Sequence, residues 1–193
     1  MATILIIQGH PDPGGGHLCH ALADAYAAGA EAAGHTVLRV EVGGLDVPLL
    51  RSQHDFRHAP PLHALSPARA ALVEAEHVAV FFPLWLGGMP AVLKGFLEQL
   101  LRPGFAFDYL EDGGTRMLLE GRSARVVVTM GMPGLIFRLW YLEAGLAALT
   151  RNILGFVGFS PVRATVLGGV EAAGEAKRRR WLSRMDALGR AAR

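Results

Sequence analysis

Apolar residues recur along this chain in two alternating rhythms. Short apolar-rich runs at Ile4 to Ile7, Thr36 to Val42, Val78 to Phe82, Arg125 to Met130 and Val162 to Leu167 have the length and β-branched content of buried strands. Between them, apolar residues return every third or fourth position, the period of a helix packed on one side. Leu18 to Ala33 carries Leu22, Ala25, Tyr26 and Gly29 on one stripe, with Gly34 to close it. A shorter helix is expected from about Pro67 to Ala75, with Ser66 as its cap. A third is opened by Pro90 and buries Leu93, Phe96, Leu97, Leu100 and Leu101. The last, Glu171 to Arg190, sets Trp181, Leu182, Met185 and Leu188 opposite its charges.

The Pro- and His-rich stretch Pro48 to Pro61 reads as a loop, and Asn152 to Phe159 as a segment packed against the fifth strand. Strand and helix alternate, so the fold class is α/β: a doubly wound, five-stranded parallel sheet with helices on both faces. Right-handed crossovers make 2-1-3-4-5 the expected strand order. No linker or repeat interrupts residues 1–193, which are expected to form a single domain.

Composition narrows the setting. Of 193 residues, 51% are hydrophobic, enough for a real core. Nineteen basic against seventeen acidic side chains leave a net charge of +2, too small for a nucleic-acid binder. The one basic run, Lys177 to Arg180, falls on the polar side of the last helix and reads as a solvated face. Cys19 stands alone, so no internal disulfide forms. The first strand starts within four residues of Met1, leaving no room for a signal peptide, and no apolar run reaches membrane-spanning length. The expected location is the cytoplasm, without membrane insertion.

Two loops carry the candidate chemistry. After the first strand the chain reads Gln8-Gly-His-Pro-Asp-Pro-Gly-Gly-Gly-His-Leu-Cys19 and runs directly into a helix. Consecutive glycines let the backbone approach an anion, and the free amides of a helix start point at it, so a phosphate is expected there. The spacing is neither the dinucleotide fingerprint nor a P-loop. After the third strand, Pro83, Leu84, Trp85, Leu86, Gly87, Gly88 and Met89 place large apolar groups at the carboxyl edge of the sheet, where open α/β sheets bind ligands. Phosphate at one loop and a flat aromatic ligand at the next together describe a flavin. His17 and His20 have a metal-ligand spacing, but no carboxylate joins them within that turn, and no metal is assigned.

Gly9-His-Pro-Asp-Pro13, Phe82-Pro-Leu84 through Pro90-Ala-Val-Leu-Lys-Gly95, and Thr129-Met-Gly131 resemble the NAD(P)H:quinone oxidoreductase family of flavodoxin-like flavoproteins, over nearly the whole chain. The resemblance implies a flavin, FMN in preference to FAD, with NADPH or NADH as co-substrate, a quinone as acceptor, and a homodimer. It assigns His10, Gly16, His17, Leu18 and Cys19 to the phosphate. Pro83, Leu84, Trp85, Leu86, Thr129, Met130 and Gly131 fall to the ring, and Gly88, Phe137 and Trp140 to the substrate. The family's charge-stabilising Tyr falls on Phe137 here, leaving Arg138 and Tyr141 as candidate catalytic substitutes. A flavodoxin-type carrier and a regulatory subunit of a potassium-efflux transporter are the alternatives. The carrier is disfavoured by the basic charge balance.

Overall fold

Thr3–Gln8 (β1) opens the chain with five consecutive buried residues, and Leu18–Ala32 (α1) carries it back to Thr36–Glu41 (β2) in a computed structural model that describes all 193 residues. Gly34, at φ +83°, ends α1, a backbone conformation that glycine adopts without steric cost. Gln53–His58 (α2) and Ser66–Glu74 (α3) precede His77–Pro83 (β3), and Ala91–Leu100 (α4) follows it. A small hairpin, Phe107–Tyr109 (β4) and Thr115–Met117 (β5), comes next. Then follow Ser123–Met130 (β6), Gly134–Leu139 (α5), Ala144–Leu149 (α6), Val162–Gly168 (β7) and Glu175–Arg190 (α7).

The five long strands form one parallel sheet in the order β2-β1-β3-β6-β7, which, counting only those strands along the chain, is the expected 2-1-3-4-5. Both faces are covered. Leu5, Ile7, Val78, Val80, Phe82, Val126 and Val128 pack with α3, α4 and α6, while Ile4, Ile6, Ala79, Phe81, Val127 and Leu167 pack with α1 and α7. That double coverage is why the central strands lack a polar alternation.

Several expectations need correction. The 48–61 loop contains α2, capped by Ser52, whose Oγ accepts from the Asp55 amide at 3.0 Å. Ser66 does not cap α3; it already has helical φ and ψ, and Leu65 occupies the cap position without a side-chain bond. α7 begins at Glu175 rather than Glu171. Residues Thr150–Gly155 continue α6 as a wider, π-type turn that buries Leu154, with Val157 and Phe159 packed behind it. The β4–β5 hairpin was not anticipated, because three-residue strands are too short to show a period.

Two buried polar groups organise the remaining chain. Arg102, 5% exposed, donates to the carbonyls of Asp55, Phe56, Ala59 and Pro60, tying the α2 segment to the end of α4 without any carboxylate. His77, at the amino end of β3, bonds Ser123 Oγ through Nδ1 at 2.8 Å. Burial, and then the neighbouring Arg125, push its pKa down to about 4. The unfolded chain holds that imidazole near its usual value of about 6.5, so between those values it binds a proton that the folded chain refuses. Stability should therefore be full above about pH 6.5, fall by up to about 3 kcal/mol as the pH drops to 4, and then level off with respect to this group. Urea midpoints measured across that window should show the decline in the native chain and a shallower one in His77→Gln.

Candidate functional site

β1, β3 and β6 are neighbours in the sheet, so the three loops leaving their carboxyl ends share one edge. They are also bonded to one another. The Gly9 amide donates to the Phe81 carbonyl at 2.7 Å, and the Leu84 amide to that of Thr129 at 2.7 Å.

The first loop is organised by Asp12. Its carboxylate accepts from the Gly14 amide at 2.8 Å and contacts His17 Nε2 at 2.9 Å, and chiefly the His17 bond holds its pKa below the usual value. His10 Nδ1 accepts from the Asp12 amide at 3.1 Å. Gly15 and Gly16 follow with φ +75° and +76°, consecutive left-handed residues that turn the chain into α1. His17 occupies the cap position but makes no capping bond. Consequently the five amides from Gly15 to Cys19 find no acceptor in the protein. Five successive unpaired donors at the positive end of a fifteen-residue helix fit a phosphate. His20 adds an imidazole with both ring nitrogens occluded and unpartnered.

The second loop is a two-residue reversal, with Trp85 and Gly88 exchanging both backbone bonds at 2.9 Å across Leu86 and Gly87, both at positive φ. Leu86 is fully exposed at its tip, a strained position for a leucine. α6 supports this turn from behind so closely that a Cβ on Gly145 would lie 1.9 Å from the Gly87 carbonyl oxygen. The third loop is held by the Gly169 amide on the Met132 carbonyl at 3.0 Å and the Val170 amide on that of Met130 at 3.1 Å. Between the second and third loops lies an open recess of about 360 Å³, lined by Leu84, Leu86, Gly87, Met130, Gly131, Met132 and Tyr141. A second recess of about 360 Å³ runs from Gly16 to Leu18 along α1 and is flanked by Arg178 and Leu182 of α7. Ligand sites have this size, and the first recess has their largely apolar wall with few polar groups.

Most expected residues thus meet at one edge, but their roles differ. The Cys19 side chain is buried and pairs with Thr129 Oγ1 at 3.1 Å; burial pushes the thiol up to about 11, so only the Cys19 amide faces the loop. The Thr129 side chain is turned inward by the same contact. Pro83 ends β3, and Trp85 is half exposed beside Gly88. Phe137, expected against substrate, is fully buried in the core and unavailable to one. Of the two catalytic candidates, Tyr141 lines the recess and Arg138 does not. Trp140 is 81% exposed and stands with Leu135, Ile136, Leu139 and Leu142 in an uncovered apolar patch. His10, His17 and His20 cluster, but no three His, Cys, Asp or Glu side chains are placed to ligate one ion. Gly87, Met132, His20, Arg178 and Gly145 were not singled out as site residues. Arg178 was hidden in a basic run, and Gly145 had no local signal at all.

A family model described as the flavodoxin-like fold matches residues 2–188. An FMN-dependent NADH:quinone oxidoreductase of Ruegeria pomeroyi is 29% identical over 68% of this chain and 72% of its own. Another enzyme of that name, from Nitratidesulfovibrio vulgaris, is 30% identical over 90% of both. For three further relatives the match spans about half of their length, between 40% and 56%. The crystal structure of an NAD(P)H:quinone oxidoreductase from Methanothermobacter marburgensis superposes with a TM-score of 0.82 over 98% of this chain and 96% of that one, at 21% identity, which speaks for the fold.

Proposed function

This chain belongs to the flavodoxin-like fold family, and on that footing we propose that it is an FMN-dependent NAD(P)H:quinone oxidoreductase whose flavin lies across the three edge loops. The row of acceptorless amides from Gly15 to Cys19, on the same sheet edge as a largely apolar open recess, carries the reading. Relatives matched over most of their length, and one matched over 56% of it, bear the name FMN-dependent NADH:quinone oxidoreductase. Bound FMN supplies the centre that takes hydride from NAD(P)H and returns it to a quinone; everything else is positioning by the protein.

The α1 amides and His17 hold the phosphate, and Arg178 adds a cation beside it. Backbone groups of Leu84 to Gly88 and of Met130 to Met132 face the ring, and Leu86 and Met132 keep water from it. Tyr141, on the recess wall, would donate its hydroxyl to negative charge developing on the ring, a role for which Arg138, which does not line the recess, is the poorer candidate. The apolar patch of Leu135, Ile136, Leu139, Trp140 and Leu142 is covered by a second copy in a homodimer, since exposed apolar surface of this kind marks an interface. No helix is long and apolar enough to cross a membrane; a cytoplasmic location belongs to the same proposal and is supported by a single cysteine that stays free.

The test is FMN retention after desalting, followed by anaerobic titration with NADH and reoxidation by a quinone. Bleaching by NADH and recovery with quinone are expected, and Tyr141→Phe should retain FMN while turning over about tenfold more slowly, the loss of about 1.5 kcal/mol from one hydrogen bond to a charged group. Retained FMN that ignores both NADH and NADPH would make the protein an electron carrier instead.

A further inference from the structure

We infer that Leu142 and Glu143 are positioning residues: their left-handed backbone interrupts what would be one helix and thereby holds Tyr141 on the wall of the ring recess. The inference rests on the flavin reading above and deepens it, since it says how the residue that answers charge on the ring is kept in place. Leu142 and Glu143 stand at φ +51° and +52°. A residue with a Cβ is crowded there by its own carbonyl, so glycine or asparagine usually holds such positions, and holds them singly. Neither side chain accounts for the conformation. Leu142 is 76% exposed, and Glu143, at the cap position of α6, makes no capping bond.

Local preference points the other way. α5 ends at Leu139, Trp140 is still right-handed helical, and α6 starts at Ala144. Leu142, Glu143 and Ala144 are strong helix formers, so by propensity Gly134 to Leu149 would run on as one helix. The one glycine inside that stretch, Gly145, lies in α6 and not at the break. The fold fastens the break instead. The Glu143 amide donates to the Phe137 carbonyl at 3.2 Å and the Ala144 amide to that of Tyr141 at 3.0 Å, while the Glu143 carbonyl accepts from the Ala147 amide at 2.8 Å. Phe137 before the break and Leu146 and Leu149 after it are buried in the core, and Gly145 is pressed against the Gly87 carbonyl. With both ends anchored, the strain falls on the two residues between. Four residues other than glycine have positive φ in this chain, and three of them border one recess: Leu86 lines it, and Leu142 and Glu143 directly follow Tyr141, which lines it too. Strain gathered at one recess, against the local preference of the sequence, marks a geometry held for function.

Valine and glycine at position 143 separate backbone from side chain. Both remove the carboxylate, but valine resists the left-handed region and glycine accepts it. In the FMN-loaded enzyme, Glu143→Val should lower kcat for quinone reduction about tenfold and leave KM for NADH within about twofold, the pattern of a displaced group that acts only on developing charge. Glu143→Gly and Glu143→Asn should stay within about twofold of the native enzyme, because both residues tolerate the left-handed conformation. Added to Tyr141→Phe, the valine should cost less than about twofold more, since one interaction is not lost twice. FMN retention is read on every variant, and Glu143→Thr, β-branched but polar, replaces the valine variant if that one does not fold. Native turnover with valine, equal losses with valine and glycine, or a full further loss on top of Tyr141→Phe would each overturn the inference and leave the flavin reading standing. FMN retained by no form of the protein, the native one included, would overturn both.

Discussion

Alanine at Gly145 should cost on the order of a hundredfold in quinone reduction while the protein stays folded. Gly145 is the second residue of α6, where helix propensity alone favours alanine by about 1 kcal/mol. The tertiary structure reverses that preference for function. A Cβ there would lie 1.9 Å from the Gly87 oxygen and 2.8 Å from the Gly88 Cα, so the Trp85 to Gly88 turn must move outward. Those backbone groups face the ring in the proposed site, and a misplacement of about 1 Å at a site that works by positioning costs about 10²-fold. Steady-state kinetics alongside thermal unfolding separates the two contributions. Unchanged kcat/KM with a shifted melting temperature would mean that the turn does not position the ring.

Valine at Gly189 should have the largest effect on stability. α1 and α7 pack so closely that a Cβ on Gly189 would stand 2.0 Å from the Tyr26 carbonyl oxygen, and one on Gly29 would stand 2.1 Å from that of Asp186. The two glycines form a reciprocal clasp, one from each helix. Opening it separates Trp181 and Met185 from the face of α1 and the sheet beneath. Overpacking usually costs 1–3 kcal/mol and more where backbone rather than a side chain must yield, so a loss of about 3 kcal/mol is expected. For a chain of this length that lowers the melting temperature by about 6–12 °C. Gly189→Ala gives the cleaner sign test, because propensity predicts a gain and the clasp a loss; a stabilised alanine variant would exclude the clasp.

The expectations that held and those that failed divide along a physical line. β1, β3 and β6 were legible because a parallel strand covered on both faces can tolerate few polar side chains, so Ile4 to Ile7 and Val78 to Phe82 announce themselves without reference to anything distant. The helical stripes of α1 and α4 were legible for the same local reason, and right-handed crossovers left one natural strand order. The two candidate loops stood out because Gly14 to Gly16 before a helix and Trp85 and Leu86 after a strand are costly unless something occupies the sheet edge. α2 and the β4–β5 hairpin were missed: six- and three-residue elements carry too few positions for a period, and Arg102, more than forty residues from the carbonyls it holds, gives no local sign of its partners.

Within the site, sequence chose the loops and the fold chose the atoms. Cys19 and Thr129 were placed in it, yet they face each other below it. Phe137 was expected against substrate and is core, whereas Tyr141, four residues on, reaches the recess. Arg178 comes to the Gly-rich loop before α1 from the far end of the chain. What this sequence determines by itself is everything set by local burial and backbone freedom: strand, helix, order and the sheet edge at which the candidate loops gather. Which side chains converge there was decided only when helices from distant segments packed at fixed distances, because van der Waals contact, unlike periodicity, depends on neighbours that the local sequence does not contain.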